Sequence, residues 1–111
     1  MPERGIRLQY GEIDGESQEL GSIGFMPTLS VFFGIVIRMY FDDHPPPHFH
    51  AVYAEYEAKI AIDALEVIEG WLPRRALGLV LDWAELHREE LRDNWSRGRE
   101  HHPLNPIPPL E

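Results

Sequence analysis

Apolar and polar positions change period twice along this chain, and the changes mark its elements. From Leu29 to Phe41 the residues are Leu-Ser-Val-Phe-Phe-Gly-Ile-Val-Ile-Arg-Met-Tyr-Phe, rich in β-branched and aromatic side chains, which predicts one buried strand. Val31, Phe33, Ile35, Ile37, Met39 and Phe41 would share one face, and Phe32, Val36, Arg38 and Tyr40 the other. Both faces are largely apolar, as in a central strand covered on two sides or one with a face used in self-association. Arg38 is the exception, its stem expected along apolar surface with its guanidinium in water, or paired with an acid such as Asp63.

Three consecutive prolines, Pro45 to Pro47, then forbid helix or central strand and impose a turn. Alternation resumes in His48–Tyr53, with Phe49, Ala51 and Tyr53 on one face and His48, His50 and Val52 on the other. A short link suits a hairpin into Glu57–Asp63, where Ala58, Ile60 and Ile62 point inward and Lys59, Ala61 and Asp63 outward. Leu65–Ile68 is a candidate fourth strand.

The period lengthens after Gly70. Leu72-Pro73 opens one long helix, with proline at an early position where its missing N–H costs nothing. Leu77, Val80, Leu81, Ala84, Leu91 and Trp95 make a stripe to pack on the sheet. Leu79, Trp83 and Leu86 form a second stripe, a candidate subunit contact unless an N-terminal arm or the proline-rich tail covers it. Glu85–Arg88, Glu89–Arg92 and Asp93–Arg97 suit surface pairs. Gly98 can end the helix. His101–Glu111, with four prolines, is expected to be an extended tail along the surface or mobile. The fold class is therefore α+β: a three- or four-stranded, mainly antiparallel sheet followed by one long C-terminal helix packed on a face. Residues 26–100 form this single domain, and residues 101–111 the tail. Residues 1–25, acidic and studded with five glycines, read as an N-terminal extension or flexible arm, with Ile6, Leu8 and Tyr10 as one short strand.

Composition narrows the functional classes. A chain of 111 residues with 43% hydrophobic content has room for one core. A formal charge of −9 disfavours nucleic-acid phosphates and anionic membranes as partners. The absence of cysteine removes disulfides and thiolate metal sites. With no signal-peptide pattern or membrane-length apolar run, a cytoplasmic protein is expected.

The chemistry concentrates in Asp42-Asp43-His44-Pro45-Pro46-Pro47-His48-Phe49-His50. Two imidazoles on one strand face can offer two nitrogens to zinc, with His44 or a carboxylate from Asp42, Asp43 or Glu55 completing a tetrahedral set. The spacing permits this metal and does not require it, so no cofactor is called for. The same imidazoles suit the base and acid of RNA cleavage, which also needs cations for phosphate; Arg38, Arg74 and Arg75 are the candidates. In a third reading His48 and His50 are hydrogen-bonded sheet residues fixing the proline turn around a buried Phe49. A fourth makes an exposed sheet edge or the Trp83 stripe a seat for a partner segment, with the histidines adding specificity.

From Met26 onward the chain resembles the bacterial domain-of-unknown-function 4160 family. The resemblance rests on Met26-Pro27-Thr28-Leu29-Ser30, Gly34-Ile35-Val36-Ile37-Arg38-Met39-Tyr40, Pro46-Pro47-His48-Phe49-His50-Ala51, Glu55-Tyr56-Glu57-Ala58 and Leu72-Pro73-Arg74-Arg75-Ala76-Leu77. The helical Trp83, Leu86, Leu91, Asn94 and Trp95 follow in register. Pro45 replaces a common asparagine, and Ala54 an often-present glycine. Members typically begin at the residue matching Met26, so residues 1–25 look like an extension or a start-site difference. The resemblance implies a small α+β protein, often encoded beside another short protein of unknown function and sometimes suspected of belonging to toxin–antitoxin-like gene pairs, with no settled activity. The resulting expectation is a protein-interaction module with a partner from a neighbouring gene, or a homodimer. The alternative is a histidine-dependent nuclease or hydrolase centred on His44, His48 and His50 with Arg38.

Overall fold

The computed structural model describes residues 26–111. The expected arm over residues 1–25, with its strand at Ile6, Leu8 and Tyr10, lies outside the described residues. Among the described residues, five strands, β1 (Thr28–Phe32), β2 (Ile35–Arg38), β3 (His48–Tyr53), β4 (Tyr56–Ala61) and β5 (Val67–Gly70), precede two helices, α1 (Arg74–Leu86) and α2 (Arg88–Arg99). The strands form one sheet in the order β1-β2-β3-β4-β5, each pair antiparallel. The α+β class is as expected, but the strand and helix counts are corrected from three or four and one to five and two.

The extra strand comes from the apolar run 29–41, which folds back on itself. Phe33 and Gly34 adopt φ of +50° and +79°, and Phe32 pairs with Ile35 across them, so these two residues are a hairpin turn whose twist matches the strands. Chain reversal also resets the faces: Ile35, Ile37 and Met39 are buried as expected, whereas Val31 and Phe33 are exposed and Phe32 is buried. The second hairpin joins β3 to β4 through Ala54-Glu55, with Tyr53 opposite Tyr56. Ala54 has φ +53°, the left-handed region that favours glycine. Gly70 has φ +86°, and a Cβ there would stand 2.2 Å from the Glu57 carbonyl oxygen. Only glycine lets β5 approach β4 so closely before Trp71 donates its N–H to that same oxygen.

The expected single helix is broken at His87, with φ −119° and ψ 25°. No proline or glycine causes the break. His87 sits against Trp83, ring centroids 5.5 Å apart, and holds Glu90 through Nδ1 at 2.6 Å. A new helix then begins with Glu89 and Glu90 in its first turn and Arg97 and Arg99 in its last, charges that complement the helix dipole. The buried face of α1 is Ala76, Val80, Trp83 and Ala84, which lies between the two expected stripes and takes one or two members from each. Trp83 packs on Phe32 and Phe49 with centroids 5.4 and 5.9 Å away. The core therefore lies between α1 and the sheet face carrying Ile35, Ile37, Phe49, Ala51, Ala58 and Ile60.

The tail is docked. Ile107 joins the core and donates its N–H to the Leu29 carbonyl on β1 at 2.8 Å. Asn94 of α2 makes two bonds to Asn105, donating from Nδ2 to its carbonyl and accepting its N–H, at 2.9 and 2.8 Å. Trp83 Nε1–H donates to the Pro108 carbonyl at 2.8 Å, so its indole finds the partner that a buried Trp needs.

Candidate functional site

On the sheet face away from α1, the register fixes a row across the strands. Arg38 pairs with His50, His50 with Lys59, and Lys59 with Glu69. Because strand side chains repeat every two residues, His48 stands beside His50 on the same face, with ring centroids 5.2 Å apart. Both rings are almost fully enclosed, at 3% and 2% exposure. The segment between β2 and β3 turns back over them, and Asp42 donates its N–H to the Gly98 carbonyl at the end of α2. Tyr40 meets the His50 ring edge-on at 4.7 Å. Trp95 of α2 covers His48 at 5.3 Å.

Asp43 is carried into this enclosure by the same segment. Its Oδ2 lies 3.0 Å from His48 Nε2 and 3.4 Å from His50 Nε2, and its side chain keeps 18% exposure. The far side of each ring is anchored. His48 Nδ1–H donates to the Pro46 carbonyl at 2.8 Å, and a carbonyl only accepts, so the proton is on Nδ1. His50 Nδ1 meets Glu57 Oε2 at 3.0 Å. The proline turn thus orients His48 with its own backbone, and β4 orients His50. His48 Nε2, although 3.0 Å from the carboxylate, has no hydrogen-bond partner among the described residues. The oxygen is close but lies off the ring N–H direction.

Burial is the largest single influence on the Asp43 carboxyl and acts to raise its pKa. The His44 backbone N–H, the His50 hydrogen bond and the charges on His48 and His50 outweigh it, so the net shift is downward. Tyr40 is pushed upward, first by burial and then by the negative charges of Glu57 and Asp43.

Asp43, His48 and His50 bring three donor atoms within 4.8 Å of one another. His44 is exposed and contributes its backbone N–H to Asp43 Oδ1 at 2.8 Å, so it shapes the cluster through its main chain. Asp42 faces Arg99 and His101 at 3.9 and 3.8 Å. Arg38 is half-buried beside His50; Asp63 pairs with Arg92 at 2.9 Å. Arg74 and Arg75 lie in the first turn of α1. Of the second helical stripe, Leu79 is half-buried, Trp83 is core, and Leu86 is 71% exposed, so the three do not make one surface. Glu57 was missed by sequence reasoning. A two-residue turn at Ala54-Glu55 would have revealed it, since that register puts Glu57 opposite Val52 and on the face of His50.

A second feature lies at the edge of the sheet. All four residues of β5 are exposed, and Trp71 beyond it is 59% exposed, its ring resting edge-on against Tyr56 at 5.0 Å. Among the described residues β5 pairs on one side only.

No curated protein and no solved structure matches this chain. A family model described as Domain of unknown function (DUF4160) matches residues 34–96, from the turn glycine of the first hairpin through the histidine strand and most of α2. That is more than half of the 111 residues, and the chain belongs to this family.

Proposed function

We propose that the protein is a protein-interaction module, one member of a toxin–antitoxin-like gene pair, which receives a strand of its partner along β5. The observation that carries this reading is the edge itself: four exposed residues paired only to β4 among the described residues, with Val67, Ile68 and Trp71 as exposed apolar side chains. An unpaired edge offers main-chain hydrogen bonds, and alternate side chains supply selectivity. The net charge of −9 favours a basic partner strand.

The test is co-expression with the product of the adjacent gene, followed by size-exclusion chromatography with light scattering. A 1:1 complex whose affinity falls about tenfold or more in Trp71→Ala, in the range of an aromatic anchor, supports the reading. A complex indifferent to Trp71→Ala and Ile68→Lys rejects β5 as the seat, and self-association lost in the same variants makes a second copy the partner.

A second reading, a histidine-dependent nuclease or hydrolase, draws on the row in which His50 stands between Arg38 and Lys59. There two cations flank an imidazole that has another beside it. Cleavage of a labelled RNA by wild type and not by His50→Ala is the expected signature.

A further inference from the structure

The geometry points to Asp43, His48 and His50 as the three protein ligands of a divalent transition-metal ion, zinc being the best match to two imidazole nitrogens and one carboxylate oxygen. This is independent of the β5 interface, which shares no residue with the cluster.

Four observations converge on it. The first is spacing. Donor atoms held about 2.0–2.1 Å from a tetrahedral ion stand roughly 3.3 Å from one another. The Asp43 oxygen lies 3.0 and 3.4 Å from the two Nε2 atoms, and all three donors fall within 4.8 Å. The second is tautomer. The Nδ1–H of His48 is engaged by the Pro46 carbonyl, which leaves its Nε2 lone pair directed inward; His50 has a carboxylate at each nitrogen, Glu57 at Nδ1 and Asp43 at Nε2, so an ion takes the place of the Nε2 proton while Glu57 holds Nδ1. Metal-bound histidines commonly carry such a carbonyl or carboxylate on the far nitrogen, because it fixes the ring and raises its basicity.

The third observation concerns direction. His48 Nε2 is enclosed and has no hydrogen-bond partner among the described residues although a carboxylate oxygen is 3.0 Å away. A proton shared between them would sit in line with the ring, whereas ligands of one ion lie side by side around it, with each oxygen off the axis of its neighbouring nitrogen. The inward lone pair of His48 facing a carboxylate oxygen 3.0 Å away also calls for positive charge between them. The fourth is the wall. Tyr40 and Trp95 pack on the two rings and limit water on that side, while the partial exposure of Asp43 leaves a route for the ion and for a water as fourth ligand. His44, exposed, lies outside the set.

The experiment is a titration of chelator-treated full-length protein with zinc chloride, read by calorimetry and by the imidazole nitrogen resonances of all six histidines. The expected result is one equivalent bound with a submicromolar dissociation constant and shifts confined to Nε2 of His48 and His50. Affinity should fall at least a hundredfold in His48→Ala. Because that variant removes a buried ring and is open to misfolding, the isosteric Asp43→Asn decides the matter, and it too should lose about a hundredfold. Glu57→Gln should weaken binding about 10- to 100-fold without abolishing it, the usual effect of removing an outer partner of a ligand. Unsaturable binding, responses only at His44, His101 or His102, or an unchanged affinity in Asp43→Asn would each overturn the assignment.

Discussion

The two faces of β3 are equally enclosed and differently held. Phe49 and Ala51 turn toward α1 into the apolar core, while His48 and His50 turn the other way and are just as hidden from water. On the first face any side chain of suitable volume is tolerated, because dispersion and water exclusion have no direction. On the second, each ring nitrogen faces a particular oxygen, and losing one group leaves another buried without its match. Depth in the protein therefore says little about the kind of constraint a residue is under. What decides is whether its neighbours satisfy a shape or a set of directed bonds.

Breaking the apolar side should have the largest effect. Phe49→Ala removes a fully enclosed ring that Trp83 packs against and is expected to cost about 3–5 kcal/mol, measured by urea denaturation. On the polar side, His50→Leu keeps comparable bulk but leaves Asp43 and Glu57 without the ring between them. The expected cost is about 1–3 kcal/mol. If His50→Leu proves neutral or stabilising, the polar face is held by shape as well, and the contrast fails.

Acidification separates the faces without mutation. The Asp43 carboxyl is depressed in the folded state, so its stabilisation is complete above the ordinary carboxylate value of about 4 and is lost as pH falls through the folded value. The stability difference between wild type and Asp43→Asn should accordingly shrink below about pH 4, whereas the difference between wild type and Phe49→Ala should not follow that titration. The smallest expected change touches both faces alike. Ala54→Gly relieves the left-handed backbone at the end of the β3–β4 hairpin, about 1–2 kcal/mol for a residue with a Cβ, against the greater unfolded-chain freedom of glycine. A net gain of about 0.5–1 kcal/mol in thermal unfolding is expected.

The part of this arrangement that depends on alternation could be read from sequence. His48 and His50 on one side of a strand, with Phe49 and Ala51 on the other, follow from a period of two, and Asp43 was among the carboxylates adjacent to them. The first hairpin was hidden because the residues on either side of Phe33-Gly34 are apolar on both faces, so the period continues unbroken through the reversal. Its one signal was the glycine within an otherwise β-branched run. The break at His87 had no local signal, since the residues around it are acceptable in a helix and its contact with Trp83 is tertiary. Glu57 joins the histidines through β3–β4 register, which is set by the length of a turn rather than by the residues of either strand.

The docked tail has a consequence for how the chain is made. Among the described residues, Trp83 at the centre of the core obtains the acceptor for its indole N–H from Pro108, and the Leu29 carbonyl near the start of the sheet accepts from Ile107. Asn94 likewise waits for Asn105. A nascent chain that has produced both helices still holds a buried indole and a buried amide without their bonds, so closure of the core is a late event in synthesis, following emergence of the proline-rich segment from the ribosome. The prolines restrict that segment to extended shapes beforehand, which lowers the entropy lost when it is laid across the finished sheet and helix.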